Sequence, residues 1–150
     1  MIHPAAKATP RRAVLRYLSV MAAGNLLWEI AHVPLYTLWL TGTGGEIAYA
    51  VLHCTLGDVM IAASTLGLSL LLLGRGWPER RFGAVAALTI LFALAYTVFS
   101  EWLNISVRGT WAYRDIMPTL PPFETGLTPL LQWILVPAIA FRLTTHTRAA

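Results

Sequence analysis

Four long apolar stretches, each set off by a short or turn-rich polar connection, constrain this chain more than any other feature. A span of the bilayer core takes roughly 20 apolar residues at 1.5 Å rise each. The stretches run from about Val14 to Leu40, Ile47 to Leu73, Phe82 to Val107 and Leu127 to Leu143. The last is the shortest and holds Pro137, which membrane helices tolerate when neighbours satisfy the freed carbonyl. Hydrophobic residues make up 57% of the chain and charged ones 12%, against about 25% charged in a soluble domain. A soluble protein of 150 residues has no way to hide that much apolar surface, whereas lipid can face it directly. The predicted fold is all-α: a single transmembrane domain over residues 1–150, built as an integral membrane four-helix bundle.

The connections are equally readable. Residues 41–46 form a tight polar turn and residues 74–81 a second. Residues 108–126 form a long connection between helices 3 and 4, holding Trp111, Tyr113, Pro118, Pro121, Pro122 and Phe123. That many prolines and aromatics predict an ordered lid rather than a loose tether. The first stretch follows a basic arm, but it continues past residue 33 and contains Glu29 and His32, so it reads as a retained helix and not a cleaved signal peptide. The only cysteine, Cys54, sits inside an apolar run and reads as a small packed residue.

Placement of Lys and Arg sets the expected orientation. Lys7, Arg11, Arg12, Arg16, Arg75, Arg80, Arg81, Arg142 and Arg148 would fall on one side, and only Arg108 and Arg114 on the other. Nine against two puts both termini in the cytoplasm and the long third connection outside, in a multi-pass protein of the cell membrane such as the bacterial inner membrane. The net charge of +4 is spread over helix ends rather than one stripe, so nucleic acid is not an expected partner.

Ionisable residues inside spans cost about 2.5–3.5 kcal/mol each on insertion scales, while an interhelical polar contact returns only about 0.6 kcal/mol. Glu29, His32, His53, Asp58 and Glu101 therefore need a function, joined by the uncharged Asn25, Asn104 and Gln132. All fall between mid-membrane and the outer surface. Asn25, Glu29 and His32 share one helical face, as do Thr97, Glu101 and Asn104. His53 lies about 140° from Asp58 around its helix, so those two do not both face the centre. Trp39, Trp77, Trp102 and Trp133 lie near expected membrane interfaces, where such belts are common. Trp28 lies near mid-membrane, beside Glu29.

Carboxyl groups shielded from water suit proton donation and acceptance at neutral pH. Glu29, Asp58 and Glu101 are the candidate catalytic set, and Asn25, Trp28, Trp102, Asn104, Trp111, Tyr113 and Gln132 the candidate substrate-binding set. Trp28, Trp102 and Trp111 can stabilise a carbocation through their ring faces. The expected substrate is a hydrophobic small molecule, and no cofactor is required.

Asn25-Leu26-Leu27-Trp28-Glu29 resembles the N-x-x-W-E element of integral-membrane terpene cyclases of meroterpenoid pathways. The run Glu101-Trp102, Gly109-Thr110-Trp111-Ala112-Tyr113 and Leu120-Pro121 is similar to the small membrane lycopene cyclase domains. The resemblance covers about a third of the chain and implies a membrane acid, Glu29, that protonates an alkene or epoxide. The pattern departs at Pro122-Phe123-Glu124-Thr125, which has one acid where the lycopene cyclase domains have Pro-x-Glu-Glu. The chain as a whole also looks like small four-helix bacterial membrane proteins of no assigned activity.

Two other readings stand beside it. Glu29-x-x-His32 is the spacing used by carboxylate-bridged metal bundles, so Glu29, His32, His53, Asp58 and Glu101 form an alternative ligand set for Fe, Mn or Zn. Haem between His32 and His53 is a thinner version of the same idea. The third reading is a transporter or a subunit of an oligomer or larger membrane complex, in contact with membrane lipid.

Overall fold

The computed structural model describes residues 9–145. Lys7 and Arg148, which enter the charge bias above, lie outside the described residues. Helix α1 covers Pro10–His32, with Thr9 as its cap: the Thr9 hydroxyl accepts the Arg12 N–H at 3.4 Å, and Pro10 takes the first helical position, where no N–H is needed. The first apolar stretch does not continue as one helix to Leu40, as the sequence predicts. Pro34 lacks an N–H and its ring would meet the carbonyl four residues back. The chain instead makes a 3-10 turn at Val33–Leu35, an extended residue at Tyr36, and a short α2 at Leu38–Thr41.

Helix α3, Gly44–Leu73, opens on a reciprocal cap in which Thr43 N–H donates to Glu46 Oε2 at 2.8 Å and Glu46 N–H donates to Thr43 Oγ1 at 3.3 Å. Helix α4 covers Phe82–Glu101 and passes into a π-helical turn at Trp102–Val107. There the Asn104 amide donates to the Ser100 carbonyl at 2.8 Å, a side chain inserted into the backbone ladder. A two-residue hairpin pairs β1 (Thr119–Leu120) with β2 (Thr125–Gly126) antiparallel, and α5 (Leu127–Thr145) closes the described chain.

The four long helices form a ring in which α1 and α4 each pack on both α3 and α5. Helices α1 and α5 come closest at Gly24, where a β-carbon would sit 2.7 Å from Val136 Cγ1. Small residues that let backbones meet are the usual device of helix contacts in lipid. Among the described residues three helices, Gly44–Leu73, Phe82–Val107 and Leu127–Thr144, are long and apolar enough to cross a membrane, with mean hydropathies of 1.9, 2.1 and 1.4. Their outward faces carry large apolar side chains such as Leu52, Leu56, Leu71 and Leu91. Helix α1, with Arg16, Asn25, Glu29 and His32 along it, falls outside that class.

Burial divides the ring into two storeys. In one, Ala13, Tyr17, Met21, Ala62, Leu66, Val85, Ala140 and Phe141 make a closed apolar core, into which Trp77 of the 74–81 connection is also buried. Trp77, expected at an interface, is 4% exposed and belongs to this core. The other storey, toward the long connection, holds the buried carboxyl and amide side chains.

Candidate functional site

The polar storey encloses a cavity of about 710 Å³ walled by all four long helices. Its polar centre is Gln132 of α5. The Gln132 Nε2 group donates toward Asp58 Oδ2 at 2.9 Å, Asn25 Oδ1 at 3.1 Å and Glu29 Oε1 at 3.3 Å. One amide thus ties α5 to α1 and α3 at a single point. Glu29 Oε1 and Asp58 Oδ2 thus share one donor, which brings the two carboxyl groups together as a pair. All four residues are buried, and Asn25 Nδ2 is left without a partner.

The third acid, Glu101, lies on the α4 wall and accepts the Tyr113 hydroxyl, which in turn accepts the Gly126 N–H at 2.9 Å. Tyr113 hangs from the long connection, and that connection is laced to the end of α1. Thr37 N–H donates to Ala112 O at 2.9 Å, Arg114 N–H to Leu35 O at 2.9 Å, and the Arg114 guanidinium to Pro34 O at 2.7 Å. The Tyr36 and Tyr113 rings meet at 5.3 Å, and His32 and Tyr36 at 5.4 Å. Gly126 leaves room for this arrangement, since a β-carbon there would lie 2.8 Å from the Tyr113 hydroxyl.

Burial and the neighbouring Glu101 charge push the Tyr113 hydroxyl well above its ordinary value near 10. Its neutral form is thus favoured in the folded lid. The sign follows: this contribution is complete below about pH 10 and is lost as pH rises from there, because only the unfolded phenol ionises readily. Tyr113→Phe is expected to remove that alkaline dependence of lid protection, measured by backbone hydrogen exchange of residues 110–115 in vesicles.

Of the sequence-predicted residues, Glu29, Asp58, Glu101, Asn104, Trp111 and Gln132 line the cavity, Tyr113 donates to Glu101, and Asn25 accepts from Gln132. Trp28 does not. It lies in a shallow groove between α1 and α5 with Gly24, Leu27 and Val136, because it is one residue, or 100°, around the helix from Glu29. Trp102 is likewise one residue past Glu101 and points outward, 40% exposed, against Phe99. His32 lines the cavity, and its Nδ1 donates to the Trp28 carbonyl at 3.0 Å. His53 stands exposed at the mouth, stacked on Tyr49 at 5.6 Å. Among the described residues no three His, Cys, Asp or Glu side chains are grouped to hold a metal ion.

Trp133, 2% exposed, lines the wall instead of an interface belt, and Tyr36, not expected there, lines it too; Cys54 lines it on the same helical face as Asp58. The signal for Trp133 was present: Pro129, Gln132, Trp133 and Val136 follow the helical inward-facing pattern. Tyr36 had none, because the break at Pro34 removes it from the phase of α1. Trp111 lines the cavity, and its indole N–H is buried without a hydrogen-bond partner. No family model, curated protein or solved structure matches the chain.

Proposed function

We infer that the chain is a membrane-embedded acid–base enzyme acting on a lipid-soluble alkene or epoxide. The observation that carries this reading is the Glu29–Asp58 carboxyl pair, held by Gln132 in the wall of an aromatic-lined cavity of about 710 Å³. The volume lies within the range of small-molecule sites. In this reading α1 joins the three apolar helices as a fourth span, with its buried polar face inward and Leu15, Leu27 and Ile30 outward. Both termini are cytoplasmic, as the Lys and Arg bias supports.

The chemistry balances without a cofactor. The carboxyl pair gives its proton to one alkene carbon, forming a C–H bond and leaving a cation on the neighbouring carbon. The Trp133, Tyr36 and Trp111 rings line the space in which that cation would form and can stabilise it. Loss of a proton from an adjacent carbon to a carboxylate completes an isomerisation; attack of a second double bond on the cation, forming a C–C bond and a new cation, followed by the same proton loss, completes a cyclisation. Gln132 donates to the carboxylate left behind. Glu101, on the opposite wall, is the candidate acceptor once Tyr113 releases it.

The test is deuterium transfer. Protein in vesicles, given linear polyene and terminal-epoxide isoprenoids in heavy water, is expected to place deuterium on product carbon. Removing a general acid costs about 10²–10⁴-fold in rate, so Glu29→Gln and Asp58→Asn are each expected to lose incorporation by that factor while remaining folded. Equal incorporation by wild type and both variants would sink the reading.

A further inference from the structure

On the α1 and α5 side the cavity walls, Glu29, His32, Val33, Gln132 and Trp133, are all buried. Exposed lining residues occur at its outer end, at Thr41, Glu46 and Thr110, and along the side formed by the other two helices, at Tyr49 and His53 on α3 and Tyr96 on α4, with Gly57 and Ser100 half-buried between them. Tyr49, His53 and Gly57 follow one another at four-residue spacing, as do Tyr96 and Ser100, so each set forms the edge of its helix. A β-carbon on Gly57 would meet nothing within 4 Å, so the gap is open there.

The height of this slot matters as much as its direction. Its α3 edge runs from Glu46 to Ile61, about 22 Å at 1.5 Å per residue. Helix α3 has 30 residues, or about 45 Å, against about 30 Å of hydrocarbon. Gly57 is near its middle and therefore faces acyl chains. The rim agrees: Leu52, Leu56 and Met60 on α3 and Phe99 on α4 are all more than half exposed. Above the cavity, by contrast, the long connection is tied to residues 35–37 by three backbone-directed hydrogen bonds.

We propose that the cavity is loaded sideways from the bilayer, through the slot between α3 and α4 at Gly57, by an uncharged, chain-like hydrocarbon molecule. This deepens the membrane-enzyme reading by naming the route and class of its substrate, and it rests on that reading's placement of the helices in lipid. It does not depend on the carboxyl chemistry. An anionic headgroup has no partner on this path, since the lip carries Glu46, Tyr49, His53, Tyr96 and Ser100 but no Lys or Arg. An uncharged chain crosses an apolar rim at no cost and brings an unsaturated carbon to the acids behind it.

The test uses the full chain in phosphatidylcholine vesicles and two photoreactive probes, mapped by mass spectrometry. One is an apolar aryl diazirine dissolved in the bilayer. The other is its sulfonated, membrane-impermeant analogue. The apolar probe is expected to insert into Cys54 and Ile61 on the cavity wall as well as into the rim residues Leu52, Leu56 and Met60. Gly57→Leu fills the slot with a better helix former and is expected to cut wall labelling several-fold while leaving rim labelling unchanged. The rim labels report that the variant is folded in the membrane. Ala50→Leu, higher in the same slot, is a second obstruction with the same expected pattern. Two results would overturn the proposal: wall labelling unchanged in both folded variants, or wall labelling by the sulfonated probe equal to that by the apolar one. A failure of deuterium transfer with wall labelling intact would remove the chemistry and keep the route.

Discussion

Gln132→Met is expected to destabilise the folded protein by about 2–6 kcal/mol, the largest loss from any single substitution around the cavity. The wild-type amide supplies two N–H bonds to three acceptors, Asn25 Oδ1, Glu29 Oε1 and Asp58 Oδ2. Methionine matches its length and supplies none. A buried acceptor left unmade costs about 1–3 kcal/mol, and at least two are stranded at once. An ordinary interhelical polar contact in a membrane is worth about 0.6 kcal/mol. The larger figure applies because Asn25 and Gln132 are 0% and 3% exposed. Unfolding in mixed micelles, followed by circular dichroism, checks this. A loss near 0.6 kcal/mol would mean that the acids find other partners and that Gln132 does not organise the site.

How much of this centre was legible in the sequence follows from helical phase and from where phase stops. Asn25 and Glu29 lie four apart, so their common face is plain from spacing, and His32 continues it. Thr97 and Glu101 repeat the argument on α4, while Asn104 lies within the π-turn that follows and still lines the cavity. Asp58 and His53 lie about 140° apart, so only one can face inward; spacing alone does not say which. Packing decides it by putting Asp58 against Gln132 and His53 at the slot.

Trp28 and Trp102 were assigned by depth in the membrane, not by phase. Each sits one residue from an acid and so faces elsewhere. Tyr36 was hidden for the opposite reason. Its position depends on the break at Pro34 and on a bridge to Tyr113 across 77 residues of sequence, the difference between the two residue numbers. Long-range backbone pairing of that kind leaves no periodic trace. The same break shortens the first predicted helix, and the freed segment becomes the seat of the lid.

Replacing the whole network at once, with Asn25→Leu, Glu29→Met, Asp58→Leu and Gln132→Met together, is expected to reverse the sign of the single substitution. Each residue becomes an apolar one of similar size, so no acceptor is stranded and no charge is held away from water. Buried polar clusters replaced in this way are commonly neutral or stabilised by about 1–4 kcal/mol. The quadruple variant should therefore unfold at or above the wild-type midpoint, although Gln132→Met alone falls well below it. Such non-additivity is the mark of groups that act as one unit. It also separates two reasons for the network to exist. If these side chains served to hold α1, α3 and α5 together, the quadruple variant would be the least stable of the series. A variant that is more stable and transfers no deuterium would mean that the fold stands without its acids. The membrane cost of carrying them would then be borne for proton chemistry alone.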